Sequence, residues 1–230
     1  MPQPLLVFDL DGTLAETAGD LIAALNHVMA LEGAAKVELA TARFMLGAGG
    51  RALIERGLSA AGQYVTPARL ELLFGEFLGH YNANIAVHSH FYAGVSAALD
   101  RFETAGWRFA ICTNKMERSA VTLLRALGAE SRFAAICGQD TFAVCKPDPQ
   151  ALRQTIAKAG GDFSRAIMVG DSETDIRTAR AAGVPCVAVD FGYTDRHVSA
   201  FGPDRVISHF DDLWGAVAGL QSLDLATRAP

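Results

Sequence analysis

The sequence predicts an α/β fold, a Rossmann-like parallel sheet covered by helices, with an all-helical cap domain inserted after the first strand. Past Gly94, short apolar runs alternate with segments of helical periodicity, as expected for strands joined by crossover helices. Polar side chains directly follow several of these runs. A long stretch between the first two runs has helical periodicity alone, which indicates an insertion into the sheet domain.

The first predicted strand lies in the segment Leu5–Leu14, an apolar run that leads into Asp9, Asp11 and Gly12. An uninterrupted apolar run of this length suits a strand buried on both faces of a parallel sheet. The carboxyl ends of such strands open onto the ligand crevice, where two neighbouring acids repel each other unless a cation or a proton joins them. A strand followed by an ordinary Asp-Gly turn is the plain alternative.

The next stretch is predicted to be helical throughout. Thr17 is expected to cap a first helix that ends at Gly33, and helical periodicity recurs over Ala40–Leu46, Arg51–Leu58 and Pro67–Tyr81. Because a crossover helix needs only about a dozen residues, we predict a helical cap domain over residues 16–90 and a core domain over residues 1–15 and 91–230. The predicted linkers are Ala15–Glu16 and Ser89–Gly94, and the alternative is that these helices pack directly on the sheet.

The remaining chain alternates between the two element types. The predicted strands are Trp107–Cys112, Phe133–Cys137, Ala166–Val169, Cys186–Val189 and Arg205–Ile207, and the predicted helices are Val95–Ala105, Arg118–Leu127, Pro149–Ala159, Asp175–Ala182 and Asp211–Leu220. Right-handed crossovers would make the sheet parallel. The tail from Gln221 to Pro230 is expected to be loosely ordered.

Polar groups follow the later strands or precede a helix at the same predicted edge of the sheet. Thr113 and Asn114 follow one strand, Gly170-Asp171 follows another, and Lys146-Pro147 stands before a helix. Singly, each has an ordinary explanation as a turn, a solvated lysine or a helix cap. Together with the first strand they are expected to converge on one rim of the sheet.

Four segments match, in order, the four motifs of the haloacid dehalogenase superfamily, and the resemblance spans essentially the whole chain. They are Asp9-Leu-Asp11-Gly12-Thr13-Leu14, Thr113-Asn114, Lys146-Pro147 and Gly170-Asp171 with Asp175. Within that superfamily, the segments at residues 46–58, 91–95 and 191–193 resemble those of bacterial phosphoglycolate phosphatases.

The resemblance implies a magnesium-dependent phosphatase. Asp9 would be the nucleophile that forms an aspartyl phosphate, and Asp11 would protonate the leaving oxygen and later activate water. Mg²⁺ would be held by Asp9, Asp171 and the backbone carbonyl of Asp11, a set of oxygen ligands that suits this ion. Lys146 would offset the negative charge of the phosphate, and Asp175 would orient the metal site or Lys146.

Substrate contacts are expected from both domains. Thr113 and Asn114 would donate hydrogen bonds to the phosphoryl oxygens. In the cap, the loop that begins at Gly47 leads to Arg51, whose guanidinium could bind a carboxylate through two hydrogen bonds. The resemblance makes 2-phosphoglycolate the leading substrate. Arg51 could also be a surface arginine at a helix start.

Other functions remain open at this level. They are a phosphatase of another small metabolite, such as a sugar phosphate or a nucleotide, a phosphomutase, and an inactive protein that senses a phosphorylated ligand. A phosphomutase is disfavoured because Leu21 stands where such mutases place a cap histidine. A dehalogenase is disfavoured because it has no need of the second acid, Asp11.

Charge and composition set the expected partners. A net charge of −5 without long runs of one sign argues against a nucleic-acid or membrane surface, so the expected partner is a small phosphate ester. The beginning of the chain lacks a signal-peptide pattern, which makes the cytoplasm the expected location. The expected state is a monomer or a homodimer. The four cysteines, Cys112, Cys137, Cys145 and Cys186, are expected to be buried reduced thiols.

Overall fold

The computed structural model of this chain describes residues 3–42, 45–194 and 196–227. Its strands are β1 (Leu5–Phe8), β2 (Ala15–Glu16), β3 (His90–Phe91), β4 (Arg108–Cys112), β5 (Phe133–Cys137), β6 (Ala166–Gly170), β7 (Cys186–Val189) and β8 (Arg205–Ile207). Its α-helices are α1 (Ala18–Leu31), α2 (Leu39–Ala42), α3 (Gly50–Ala60), α4 (Pro67–Ala83), α5 (Val95–Thr104), α6 (Glu117–Ala126), α7 (Pro149–Lys158), α8 (Glu173–Ala182) and α9 (Leu213–Thr227).

The main sheet has six parallel strands in the order β5-β4-β1-β6-β7-β8. This confirms the predicted α/β class. Strand β1 lies in the middle, with β4 on one side and β6 on the other. Strands β4 and β5 follow on one side of β1, and β6, β7 and β8 then follow on the other side. The direction in which strands are added therefore reverses next to β1. Ligands of open α/β sheets bind at such a point, outside the carboxyl ends of the strands.

The side chains of β1 alternate between two apolar cores. Leu6 and Phe8 belong to one core and Leu5 and Val7 to the other, and all four are fully buried. Helices α5, α6 and α9 contribute to the first core, and α7 and α8 to the second. Burial on both faces explains why the first strand reads as an uninterrupted apolar run.

Helices α1 to α4 form the segment between β2 and β3. Helix α4 packs against α1 and α3, and their buried side chains join the apolar core on one face of the sheet without interruption. The division into a cap at 16–90 and a core at 1–15 and 91–230 therefore stays a prediction. The predicted helix Ala40–Leu46 is observed as α2, which ends at Ala42, and the positions 43 and 44 lie outside the described residues.

The two predicted linkers are paired with each other. Ala15 lies opposite Phe91 and Glu16 opposite His90 in a two-stranded antiparallel ribbon. A two-residue strand is too short to show any periodicity, so this pairing cannot be predicted from local sequence patterns. The ribbon brings both connections to the helical segment close together.

The structure corrects two predictions about helix ends. The Thr17 side chain does not cap α1, because its hydroxyl donates to Asp11 Oδ1 at 2.7 Å, and the Ala18 N–H donates instead to Glu16 and Tyr193. Helix α9 continues to Thr227, so residues 221–227 are helical rather than loosely ordered, and residues 228–230 lie outside the described part. Neither glycine nor proline interrupts 221–227, which leaves the helix free to continue.

Among the helices of residues 3–42, 45–194 and 196–227, none has both the length and the apolar character needed to cross a bilayer.

Candidate active site

Asp9 lies directly beyond β1 and beside a buried lysine. The Asp9 N–H donates to the Val169 carbonyl at 2.9 Å, which holds the residue to the end of β6. Lys146 Nζ lies 2.8 Å from Asp9 Oδ1 and donates to Asp175 Oδ1 at 2.6 Å. Burial opposes the charge of Lys146, but the two carboxylates outweigh it and raise the pKa of this lysine. Lys146 is therefore a fixed positive charge beside the candidate nucleophile.

Asp175 links this lysine to the start of α8. Its Oδ2 accepts hydrogen bonds from the Ser172 hydroxyl at 2.6 Å and from the Ser172 N–H at 3.1 Å, in a capping box. A side chain at Gly170 would come within 2.4 Å of Asp175 Cβ. The close packing and the cap hold Asp175 in one position, in which its Oδ1 accepts the hydrogen bond from Lys146 Nζ.

Asp171 is the third buried carboxylate. Its oxygens accept hydrogen bonds from the Thr13 hydroxyl at 2.9 Å and from the Tyr193 N–H at 2.8 Å. Gly12 has a φ of +83°, and a Cβ atom there would lie 2.6 Å from Asp171 Oδ2. Glycine is therefore required at position 12 both by the backbone conformation and by the space that the Asp171 side chain occupies.

The donor set at this point fits a divalent cation. One carboxylate oxygen from each of Asp9, Asp171 and Asp175 lies within 4.8 Å of the others. Asp9 Oδ1 is buried and, despite the nearby ammonium, accepts no hydrogen bond of acceptable geometry. Burial, with repulsion from neighbouring carboxylates, raises the pKa of Asp9 to about 6 and that of Asp171 to about 8. A bound cation would relieve this repulsion and supply the missing partner.

Asp11 points to a second lysine, which the sequence analysis missed. Lys115 Nζ lies 2.8 Å and 3.1 Å from the two carboxylate oxygens of Asp11, and its side chain is only 5% exposed. Burial works against its charge, but Asp11 and Tyr81 more than offset that effect and raise the pKa of Lys115. The only sequence signal was its place directly after Thr113-Asn114, which reads equally well as a solvated turn lysine.

Thr113 and Asn114 follow β4 and line the same cavity. The Thr113 hydroxyl accepts a hydrogen bond from the Lys115 N–H at 3.3 Å, which leaves its own proton available to another acceptor. One N–H of the Asn114 amide donates to the Lys146 carbonyl at 3.1 Å, so Asn114 holds the loop that carries Lys146. The contacts of both residues with a phosphoryl group stay predictions.

The cavity lies between the carboxyl ends of the strands and the helical segment. Asp9, Asp11, Thr113 and Lys146 line its floor, and the loop at Gly47 lines its other side. The helical wall is mainly apolar: Leu21, Leu46, Leu53, Phe74, Phe77 and Leu78. The cavity volume is about 60 Å³, which is room for roughly four or five water molecules.

Arg51 is placed on the outer side of the helical segment. Its guanidinium donates two hydrogen bonds to Glu71, at 2.7 and 2.8 Å, and lies 3.8 Å from the centre of the Phe74 ring. The Arg51 side chain is 43% exposed and is not among the cavity-lining residues. A substrate contact by Arg51 thus stays a prediction and would require it to leave Glu71.

The prediction of four buried thiols is wrong for one of them. Cys112, Cys137 and Cys186 are buried, whereas Cys145 is exposed in the loop before Lys146. Burial raises the pKa of Cys112 to about 12, so this thiol stays protonated near neutral pH. A protonated thiol is a weak nucleophile, which argues against a catalytic role for Cys112.

Comparisons with a family model and with curated proteins indicate the same family for this chain. Residues 6–189 match the model of the haloacid dehalogenase-like hydrolases. The chain is 54% identical to the phosphoglycolate phosphatase of Mesorhizobium japonicum, over 93% of this chain and 94% of that protein.

Solved structures give the same result. The crystal structure of a predicted phosphoglycolate phosphatase from Haemophilus somnus 129pt superposes with a TM-score of 0.86 at 25% identity, covering 93% of this chain and 97% of the other. The structure of CbbY from Rhodobacter sphaeroides in complex with phosphate has a TM-score of 0.80 at 26% identity, covering 95% and 100%.

Proposed function

Because the chain belongs to the haloacid dehalogenase-like hydrolase family, we propose that it is a magnesium-dependent phosphatase that hydrolyses a small phosphate monoester, with 2-phosphoglycolate as its leading substrate. The observation that carries this proposal is the buried group in which Lys146 Nζ lies against both Asp9 and Asp175, with Asp171 beside them. In this proposal Asp9 is the nucleophile, Lys146 is the fixed cation, and the carboxylates of Asp9 and Asp171 would hold the metal.

In the first step, a carboxylate oxygen of Asp9 attacks phosphorus and the bond between phosphorus and the ester oxygen breaks. Asp11 has to hold a proton at this stage instead of forming its ion pair with Lys115. It gives this proton to the departing oxygen, so the alcohol leaves neutral and an aspartyl phosphate remains on Asp9. In the second step, Asp11 takes a proton from water. The resulting hydroxide displaces Asp9 from phosphorus, which releases phosphate and restores both aspartates.

Charge neutralisation is the main demand on the site, since a phosphate monoester approaches several carboxylates. Asp9, Asp171 and the carbonyl of Asp11 would hold the Mg²⁺ ion, which supplies positive charge against the phosphoryl oxygens when bound. Lys146 contributes a fixed positive charge on the other side, and Asp175 keeps it in place. Thr113 and Asn114 would add hydrogen bonds without adding charge.

The substrate is proposed from the curated relatives of this chain. Three of them, at 54%, 44% and 42% identity, are named phosphoglycolate phosphatases. A sugar phosphate of similar size stays a candidate, and so does an inactive phospho-ligand sensor.

The test is phosphate release from a panel of monoesters with Mg²⁺, with and without a chelator. We expect 2-phosphoglycolate to have the highest kcat/KM and the chelator to abolish turnover. Asp9→Asn serves as the control for contaminating phosphatases. Metal-independent turnover would contradict the mechanism, and the absence of turnover on every monoester would favour the sensor.

A further inference from the structure

Lys115 is a buried cation in the cavity to which the proposed chemistry assigns no task. Its ammonium group lies against Asp11 and 4.4 Å from the centre of the Tyr81 ring. An ammonium group has three N–H bonds, and the two oxygens of Asp11 use at most two of them. The third lies near the Tyr81 side chain, whose oxygen makes no hydrogen bond of acceptable geometry with it, so this N–H can serve a ligand acceptor.

Tyr81 adds an unused donor at the same place. It lies on α4, is 1% exposed and lines the cavity. Its hydroxyl oxygen interacts with the Lys115 ammonium, although not at acceptable hydrogen-bond geometry, and its O–H has no acceptor among the described residues. Burial raises the pKa of Tyr81 to about 12, so the hydroxyl keeps its proton. A buried O–H donor without an acceptor is unfavourable, which makes it a ready partner for a ligand oxygen.

The other cations near the cavity are engaged elsewhere. Lys146 lies between Asp9 and Asp175, where the reacting phosphate is expected, and Arg51 is paired with Glu71 outside the cavity. The helical wall offers mainly apolar side chains, against which a carboxylate would lose its hydration without compensation. Among the described residues that line the cavity, Lys115 and Tyr81 lie side by side and together offer a positive charge and a hydroxyl donor.

We propose that Lys115 Nζ and Tyr81 Oη together bind the non-reacting carboxylate of the substrate. The proposal rests on the proposed phosphatase function and assigns its specificity for a carboxylated ester. Lys115 comes from the loop between β4 and α6, and Tyr81 from α4 in the helical segment. The carboxylate thus joins the two sides of the cavity, next to the residue that protonates its ester oxygen.

The experiment compares 2-phosphoglycolate with 2-hydroxyethyl phosphate, in which a hydroxymethyl group replaces the carboxylate. For Tyr81→Phe we expect KM for 2-phosphoglycolate to rise about tenfold, as for a lost hydrogen bond to a charged group. KM for 2-hydroxyethyl phosphate should change by less than about twofold. The inhibition constant for inorganic phosphate, which has no carboxylate, should be unchanged to the same degree.

For Lys115→Met we expect both substrates to react more slowly, because Asp11 loses its partner. The decrease in kcat/KM should be at least about tenfold larger for 2-phosphoglycolate, since only this substrate also loses a charged contact. Lys158→Met is the matched control, because Lys158 is 47% exposed, lies 3.9 Å from Glu117 and does not line the cavity. It should leave both substrates unaffected.

Three results would overturn the proposal. Equal effects of Tyr81→Phe on both esters would remove the carboxylate subsite while leaving the phosphatase function intact. A selective effect of Arg51→Ala without one of Tyr81→Phe would move the subsite to Arg51.

If wild-type protein cleaves neither ester, the proposed function fails. In that case calorimetry still tests the subsite, because equal affinity of wild type and Tyr81→Phe for 2-phosphoglycolate would reject it as well. Because Tyr81→Phe removes only an unpaired hydroxyl, it tests the proposal even if Lys115→Met does not fold.

Discussion

At the residue scale, Asp9 and Asp11 are two residues apart but lie in different surroundings. Asp9 is next to Lys146 and the other buried carboxylates of the site. Asp11 instead accepts hydrogen bonds from the Lys115 ammonium and the Thr17 hydroxyl. Strand β1 ends at Phe8, so both acids lie in the turn beyond it. There the backbone no longer keeps residues i and i+2 on one face of the sheet, and the two acids can contact different partners. This arrangement allows the two different tasks that the mechanism requires.

Substitution of each aspartate should separate these tasks. Asp9→Asn is expected to abolish the phosphoenzyme, since an amide oxygen is a poor nucleophile. Asp11→Asn should lower kcat by about 10²–10⁴, the usual contribution of a general acid or base, while a phosphoenzyme still forms slowly. The measurement is trapping of the phosphoenzyme with labelled substrate, and a phosphoenzyme on Asp9→Asn would place the nucleophile elsewhere.

At the element scale, Tyr193 ties the core to the start of the helical segment. Its hydroxyl accepts hydrogen bonds from the N–H groups of Thr17 at 2.6 Å and Ala18 at 3.0 Å, and donates to Glu16 at 2.7 Å. These groups lie at the end of β2 and the beginning of α1. The backbone of Tyr193 also donates to Asp171, so one residue supports both the linker and the candidate metal site.

Tyr193→Phe is therefore expected to lower the free energy of unfolding by about 1–3 kcal/mol, because it leaves the buried Thr17 N–H without its partner. Urea unfolding followed by circular dichroism gives this quantity. Tyr64→Phe is the matched control, since Tyr64 is 86% exposed and should change stability little. A loss no larger than that of the control would show that the hydroxyl does not hold the linker.

In the helical segment, local sequence patterns predict some structural features but not others. Apolar spacing was enough to predict helices near α1, α3 and α4, but the pairing of β2 with β3 left no local pattern. Likewise, a side-chain cap from Thr17 was a sound local expectation. It is wrong because Asp11, Glu16 and Tyr193 offer these groups better partners in the folded chain.

At the scale of the whole molecule, the buried carboxylates couple stability to pH. In the absence of metal, the pKa values of Asp9 and Asp171 are raised by burial to about 6 and about 8. A carboxyl whose pKa is raised on folding is favourable below its unfolded value, near 4, and this stability is lost as the pH rises through the folded value. The metal-free protein should therefore become less stable between about pH 4 and pH 8.

Magnesium should reverse this trend, because it binds the ionised carboxylates. We expect the rise in Tm on adding Mg²⁺ to be larger at about pH 8 than at about pH 5, where protons compete with the metal. Thermal unfolding with Mg²⁺ or with EDTA measures the difference. Asp171→Asn should abolish most of the increment, whereas Asp100→Asn, at a carboxyl with 71% exposure, should retain it. An increment that does not change with pH would contradict a site built from these carboxylates.

The sequence by itself determined the class of fold and the order in which the polar groups follow the strands. Both depend on short-range features, namely apolar periodicity, glycine positions and the residues after each run, and these can be read along the chain. For this reason Asp9, Asp11, Asp171, Lys146 and Asp175 could be named before any coordinates. Their roles remain proposals for experiment.

Only the tertiary structure decided which of these groups meet and which other residues join them. The pair Asp11–Lys115 spans 104 positions, and Tyr193 reaches Glu16 across 177. Arg51, expected to face the substrate, is instead paired with Glu71 on the same segment. Contacts of this kind are set by how helices and strands pack, and packing depends on side chains far apart in the sequence. The unpaired hydroxyl of Tyr81 beside Lys115 has the same origin, so a carboxylate subsite could be inferred only from the folded chain.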